Sequence, residues 1–476
     1  MRHVALRRKW FGAGANSVRK VDLMLTILAF VFALAVLIAV HEYGHYRVAR
    51  AFGVKVLCFS IGFGRPILHW RSRRSSTEFV IAMFPIGGFV KMLDERDGPV
   101  SPGERSSAFN NQSLLARASI VLAGPAANLL LAALLYSLVS WVGTKVPSSV
   151  VSGPVSGSVA DLAGLRSGDR VIGAKIGDRD QSPVIAFEDL HWAITQSVIG
   201  GQDLHLTVKR PGVSGELELD LLLSTIVVRE ADAELVRRVG ITGPYSPPDI
   251  GGVTAGGAAQ SAGLLAGDRV ISVDGRPVSD AQELRRLIQR SGSSGAVKPA
   301  DWMISRNGKA LPLVVTPHIS LEGNNPIGRI GAMVGSPPEL VDQRFGFLDG
   351  LFRGVKKTWD SASLTLTMIG RIVVGDASLS NLSGPLTIAD YAGKTASIGL
   401  LQYLTFLALI SVSLGVLNML PLPVLDGGHL MYYLWEGVTG RPVSELVQTQ
   451  LQRVGWFALI LISAIALSND ISRLLG

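Results

Sequence analysis

The sequence predicts a polytopic α-helical membrane protein: about four transmembrane helices and a membrane-associated β-hairpin, with two α+β modules inserted between the spans. Three observations carry that class. Hydrophobic residues make up 48% of the 476-residue chain and charged residues only 17%, an excess that an ordinary soluble fold does not need. The excess is concentrated in four runs near the ~20 residues that a helix needs to cross a bilayer. Between the second and third runs the chain turns polar and rich in Gly, Pro and Ser. There Ala163-Gly-Leu-Arg-Ser-Gly-Asp-Arg-Val-Ile172 returns as Ala262-Gly-Leu-Leu-Ala-Gly-Asp-Arg-Val-Ile271.

The first span, Leu23 to Val40, is uninterrupted. Basic residues precede it, as in a signal peptide, but His-Glu-Tyr-Gly-His follows instead of a small-residue cleavage site, so it reads as a retained helix. The second, Ala116 to Val142, carries Gly124-Pro125 and Asn128; the third runs from Leu400 to Leu420 and a short fourth from about Val454 to Leu467. Both the tail from Met1 to Lys20 and the connection after the first span (Arg47, Arg50, Lys55, Arg65, Arg71, Arg73, Arg74) are basic. The positive-inside bias places both in the cytoplasm, although a span separates them. Translation from Met24 reconciles the two, and a Met1 peptide found in native membranes contradicts it. The loop after the first span is then inside the cell and the large middle region outside.

The net charge of +8 belongs to such loops; the cations are scattered and few aromatics alternate with them, which argues against nucleic acid as a partner. The single cysteine, Cys58, excludes an intramolecular disulfide and reads as a small hydrophobe. The resulting organisation is a basic extension at 1–22, a membrane core at 23–145 and 396–476, modules at 146–230 and 231–340, and an amphipathic region at 341–395. In each module the repeated string predicts a short helix ending at Gly, then a Gly-Asp turn into a strand. The second adds a helix from Ala281 to Arg290 and a strand near Leu311 to Val315. From Phe345 to Val374, Leu, Ile, Phe and Trp mix with Arg353, Lys356, Lys357 and Arg371, the pattern of a helix lying on a membrane surface. An amphipathic helix of the inserted modules would look the same.

His41-Glu42-Tyr43-Gly44-His45 ends the first span. Residues four apart share a helix face, so both imidazoles reach one metal ion with Glu42 beside the remaining position. Bare His and Glu are expensive at membrane depth unless they are paired or ligate something. Catalytic zinc takes three protein ligands and keeps one position open, so a third ligand is needed. Asn418-Met-Leu-Pro-Leu-Pro-Val-Leu-Asp-Gly-Gly-His429 offers two, Asp426 and His429, where prolines break the third span. Irregular backbone at that depth is tolerated only in a protein interior or lining a cavity.

The motif at 41–45, together with Asn-x-x-Pro-x-Pro-x-Leu-Asp-Gly-Gly at 418–428, resembles the site-2 protease family of intramembrane metalloproteases. Ser60-Ile-Gly-Phe-Gly64, Gly87-Gly-Phe-Val-Lys-Met-Leu-Asp-Glu95, Ala108-Phe-Asn-Asn111, Ala123-Gly-Pro-Ala-Ala-Asn128 and Asn381-Leu-Ser-Gly-Pro385 fit its bacterial members. The likeness runs from about residue 24 to the C-terminus; the basic extension departs from it. It implies one catalytic Zn2+ held by His41, His45 and Asp426, with Glu42 as the general base. Asn418 would hydrogen-bond the oxyanion or the substrate backbone, or else cap the broken helix. Glu78-Phe-Val-Ile-Ala-Met-Phe84, Pro85, then Gly87, Gly88 and Phe89, Val90, Lys91, Met92 read as the hairpin, whose edge would hold unwound substrate by β-addition.

The repeated modules resemble PDZ domains of the permuted bacterial kind. Val239-Gly240-Ile241, read as part of the second, fits the loop that receives a peptide's terminal carboxylate, and equally a plain strand start; no such loop is evident in the first. The resemblance further implies a bacterial inner-membrane, multi-pass protein with these modules in the periplasm. Its substrate would be a single-span membrane protein such as an anti-sigma factor, trimmed first by an upstream site-1 protease. A membrane scaffold with a structural zinc site would have no need of Glu42. A metal transporter would place its repeat in the spans instead of in the modules.

Overall fold

The computed structural model describes residues 3–73, 76–226, 233–292, 298–322, 325–379 and 383–475. The chain divides into two units, residues 1–143 with 344–476, and residues 144–343.

Among the described residues of the first unit, four helices are long and apolar enough to cross a membrane. They lie in α1 (His3–Ala51), α2 (Leu114–Val142), α5 (Leu400–Asn418) and α7 (Glu445–Leu475). Between α2 and α5 in sequence come α3 (Phe347–Val374) and α4 (Pro385–Ile398), and α6 (Asp426–Thr439) precedes α7. The fourth span is longer than its apolar run, because Gln448, Gln452 and Arg453 continue the same helix. Lipid tails are as apolar as leucine, so these helices associate through close packing and hydrogen bonds. The Ser411 hydroxyl on α5 donates to the Asn128 carbonyl on α2 (2.7 Å), and the Tyr403 hydroxyl donates to the Ala29 carbonyl on α1 (2.7 Å). Small residues bring the backbones together: a Cβ at Gly44 of α1 would lie 2.3 Å from the Ala123 carbonyl oxygen of α2.

The amphipathic pattern at 345–374 does form a helix, α3. It packs on α2 through buried Gly350, Gly354, Thr358 and Ser361, while Phe347, Leu348, Phe352, Val355 and Trp359 are exposed. The residues of its small-residue seam lie three or four apart, the spacing of one helix face. At the far end of the unit the Asp470 carboxylate accepts from the Gly384, Leu386 and Thr387 amides, capping α4.

The Gly-Gly signal predicts a hairpin between Glu78–Phe84 and Phe89–Met92, and the pairing corrects it. Strands β1 (Val56–Arg71) and β2 (Glu78–Met92) each bend, so that Val56–Ile61 lies between the two halves of β2. Phe59 pairs with Phe79 on one side and with Val90 on the other. The register advances in step from Cys58↔Glu78 to Ile61↔Ile81, which is parallel, while Gly88–Met92 runs antiparallel to Val56–Ile61. Gly88–Met92 is thereby an edge, and among the described residues no strand pairs with its outer side. Gly87 supplies the turn with φ of 112°, where a Cβ would strike the Phe63 ring.

In the inserted unit the sequence repeat is a structural repeat. The first sheet has the order β4-β3-β5-β6, from β3 (Arg170–Ile176), β4 (Ser182–Pro183), β5 (Leu204–Lys209) and β6 (Leu217–Leu221). The second has the matching order β8-β7-β9-β10, from β7 (Arg269–Val273), β8 (Arg276–Pro277), β9 (Ala300–Arg306) and β10 (Lys309–Val315). Helices Phe187–Gly200 and Ala281–Ser291 bury Leu190 and Leu284 into the respective cores.

The invariant Gly-Asp of the repeated string also acquires a physical reason. Asp169, with no exposed side-chain surface, accepts from Arg210 Nε and Nη2 (both 2.8 Å) and from the Arg166 amide (2.8 Å). Asp268 accepts in the same way from Arg306 (both 2.7 Å) and from the Leu265 amide (2.8 Å). Each arginine then donates to the Gly164 or Gly263 carbonyl. A paired, fully hydrogen-bonded carboxylate is the form in which charge is tolerated in a core.

Val239, Gly240 and Ile241 belong with the first repeat, not the second. Val239 and Ile241 are buried in the core with Val151, Ala160 and Val171. The Val155 amide donates to the Gly240 carbonyl (3.1 Å). The second repeat has its counterpart in Ile330-Gly331: the Thr254 amide donates to the Gly331 carbonyl (2.8 Å), and Ile330 enters the second core. In both repeats, then, the closing segment comes after the sheet in chain order. The predicted boundary between modules, at 230/231, lies outside the described residues.

Candidate metal centre

The helix of the first span continues without a break into His41–His45, so both imidazoles leave one face of α1. Asp426 is the first residue of α6, which starts after the seven-residue turn Met419–Leu425 closes α5. Two glycines make that turn possible. A Cβ at Gly427 would lie 2.1 Å from the Leu420 carbonyl oxygen, and one at Gly428 would lie 2.3 Å from that of Leu422. The turn thus folds directly onto the start of α6 and aims Asp426 at α1.

The three side chains meet. His41 Nε2 lies 3.1 Å and His45 Nε2 3.4 Å from Asp426 Oδ2, and the two nitrogens are 3.2 Å apart. A tetrahedral zinc ion with bonds of about 2.0–2.1 Å sets its ligand atoms about 3.3 Å apart. The donor set of two imidazoles and a carboxylate suits zinc, and among the described residues the buried Asp426 Oδ2 has no hydrogen-bond donor other than these two imidazoles. Residues and spacing therefore fit the ion. His429, the rival third ligand, lies one turn further along α6 and is not in the group. It lines a cavity of about 530 Å3 with Arg96, Arg117, Tyr432, Tyr433 and Glu436.

Of the other sequence-predicted residues, the structure brings the β2 edge to the site. A Cβ at Gly88 would touch Glu42 Cγ (3.0 Å), Ile38 Cγ2 (2.9 Å) and the Ser60 carbonyl (2.7 Å), so the strand starts directly over Glu42. Phe89 stacks on Phe63 with ring centres 6.2 Å apart, while Phe89 and Lys91 are exposed and Val90 and Met92 half-buried. Asn418 ends α5, half-buried, and its amide makes no hydrogen bond among the described residues, which does not fit the capping role. Val239, Gly240 and Ile241 lie in the other unit. The residues that close the site from behind come from α2 at Ile120, Gly124 and Asn128; the sequence marks Asn128 as a polar residue in an apolar span, without a role.

The chain matches the model of Peptidase family M50 over residues 29–462. A Ralstonia nicotianae protein that carries the provisional name zinc metalloprotease is 41% identical over 463 residues, covering 95% of this chain and 99% of that protein. The regulator of sigma-E protease RseP of Escherichia coli is 39% identical over 456 residues (94% and 98%). That of Salmonella typhimurium is 38% identical over 470 residues (95% and 100%). With the match spanning nearly the whole chain and its relatives nearly end to end, the chain belongs to peptidase family M50, the site-2 proteases, and is a metalloendopeptidase of that type.

Proposed function

We propose that the chain is a zinc-dependent intramembrane endopeptidase that cleaves the transmembrane segment of a single-span protein. The observation that supports this most is the convergence of His41 and His45, at the end of the first apolar span and beside Glu42, with Asp426, from a helix far away in sequence that follows the third span. His41, His45 and Asp426 would hold the zinc ion, which would lower the pKa of its water to near 7 and polarise the scissile carbonyl. Glu42 takes the proton of the attacking water and hands it to the leaving amine. A transmembrane substrate arrives as a helix whose amides are shielded by their own hydrogen bonds. The open edge from Gly88 to Met92, starting over Glu42, pairs with it as an added strand and presents an extended backbone. Asn418, whose side-chain amide makes no other hydrogen bond among the described residues, donates to the developing oxyanion or to the substrate backbone.

The inserted repeats act as PDZ-like domains on the periplasmic side of the bacterial inner membrane. Their carboxylate loops are Val239-Gly240-Ile241 in the first and Ile330-Gly331 in the second. They admit substrates whose outer bulk an upstream site-1 protease has removed. By likeness to the sigma-E proteases, the substrate is an anti-sigma factor released during envelope stress.

The test is cleavage of a single-span substrate, truncated outside, by the purified full chain in detergent. Glu42→Gln is expected to keep its zinc and lose about 10²–10⁴-fold in rate. Cleavage by Glu42→Gln at the wild-type rate would overturn the assignment and favour a scaffold.

A further inference from the structure

The fourth wall of the metal centre is a single face of α2. Ile120, Gly124 and Asn128 lie at i, i+4 and i+8 of that helix, one above the other, and all three are buried. His45 Nδ1 lies 2.8 Å from the Ile120 carbonyl oxygen, an acceptor that holds a proton on Nδ1 and turns Nε2 toward Asp426. At Gly124 both rings rest on the helix backbone: a Cβ there would lie 2.3 Å from His45 Nε2 and 2.8 Å from His41 Cε1. One turn further on, the Asn128 amide lies against the other ring, with Nδ2 3.2 Å from His41 Nδ1. Asn128 has no exposed surface, and among the described residues its Oδ1 has no partner in this orientation.

The chemistry of the ring decides which end of the amide is needed. His41 Nε2 faces both Asp426 Oδ2 and His45 Nε2, so it is the metal-facing atom. A neutral imidazole that gives Nε2 to a metal carries its proton on Nδ1. An N–H on Nδ1 requires an acceptor, and a half-turn of the amide supplies one while pairing the orphaned oxygen. We propose that Asn128 is a positioning residue of the metal centre: its Oδ1 accepts the Nδ1–H of His41, doing for that ring what the Ile120 carbonyl does for His45. The inference rests on the zinc reading of His41, His45 and Asp426. It explains why an asparagine stands in an apolar span, where an unpartnered amide would be costly.

Chelator competition on the zinc-loaded full chain in detergent tests it. Asn128→Ala and Asn128→Leu, which remove the acceptor, are expected to weaken zinc binding about 10–100-fold. Asn128→Asp keeps an acceptor and loses the donor, and is expected to bind zinc at least as tightly as wild type. A weakening by Asn128→Asp equal to that of Asn128→Ala would overturn the proposal, and so would wild-type affinity in Asn128→Leu. A second measurement needs no variant. Nuclear magnetic resonance of isotope-labelled histidine in the zinc-loaded wild type should show His41 protonated at Nδ1; protonation at Nε2 would contradict it. If the wild type itself holds no zinc at His41, His45 and Asp426, the underlying reading fails instead, which the same competition shows separately.

Discussion

A methyl group added at Gly44, Gly124, Gly427 or Gly428 in the membrane unit would fall within 2.4 Å of a backbone oxygen or a ligand imidazole. Added at Gly164, Gly263 or Gly267 in the inserted unit, it would meet nothing within 4 Å. The two sets of glycines answer different needs. In the inserted unit these three take positive φ, from 79° to 92°, at turns; close backbone contact also occurs there, at Gly292 and Gly328, beside two apolar cores and two aspartate–arginine pairs. In the membrane unit the bilayer offers no hydrophobic gain for helix association. Precision there comes from backbones in direct contact, and the metal centre is assembled at those contacts. What fixes the catalytic geometry is therefore the absence of side chains at a few positions.

The largest effect expected from that contrast is at Gly427. Gly427→Ala should push the 419–425 turn off α6, misplace Asp426, and lower both zinc content and cleavage, the latter by at least ~10²-fold. Gly263→Ala pays only for its φ of 79°, about 1–2 kcal/mol of local stability, and should leave zinc content unchanged. Equal loss of zinc in the two variants would break the comparison.

Between these lies the buried pair. Asp268→Ala removes the carboxylate that ties Arg306 to the Leu265 amide and should destabilise the second repeat, read as faster hydrogen exchange of the β7 and β9 amides with zinc retained. Unchanged exchange would remove the pair from the account.

The smallest effect is the pH dependence of the same group. The hydrogen-bonded Arg306 guanidinium holds the Asp268 carboxyl below the usual carboxylate range. A carboxyl depressed in the folded state binds its proton more readily unfolded, so its contribution is complete above about pH 4 and is lost as pH falls through the lower folded value. Exchange in β7 should accelerate over that window in wild type, and more weakly in Asp268→Asn.

The legibility of the two units differs for the same physical reasons. Duplication makes the repeats visible, because two copies of Gly-Asp-Arg-Val-Ile cannot both be accidental. It does not show where one copy ends. Val239–Ile241 completes the first core only after the chain has left its sheet, and adjacency in sequence assigns it to the wrong repeat. In the membrane unit, His41, Glu42 and His45 are legible because a metal site on one helix must repeat every fourth residue. Asp426 is legible as the acid after a proline break, although His429 stays a rival until the structure sets it outside the group, lining a cavity with Arg96 and Arg117. The β1–β2 pairing was hidden because Gly87-Gly88 does mark a turn, while a segment from before Glu78 supplies the partner on both sides. Asn128 shows in sequence as a costly polar residue; only the crossing of α1 and α2 shows which ring it serves.

The most direct test of the account is the zinc content of purified full-length wild type, Asp426→Asn and His429→Asn, each measured together with cleavage of a single-span substrate. The geometry predicts one zinc per chain in wild type and in His429→Asn, and loss of both zinc and cleavage in Asp426→Asn. Zinc retained by Asp426→Asn and lost by His429→Asn would contradict it, and would mean that the metal is held by a different turn of α6.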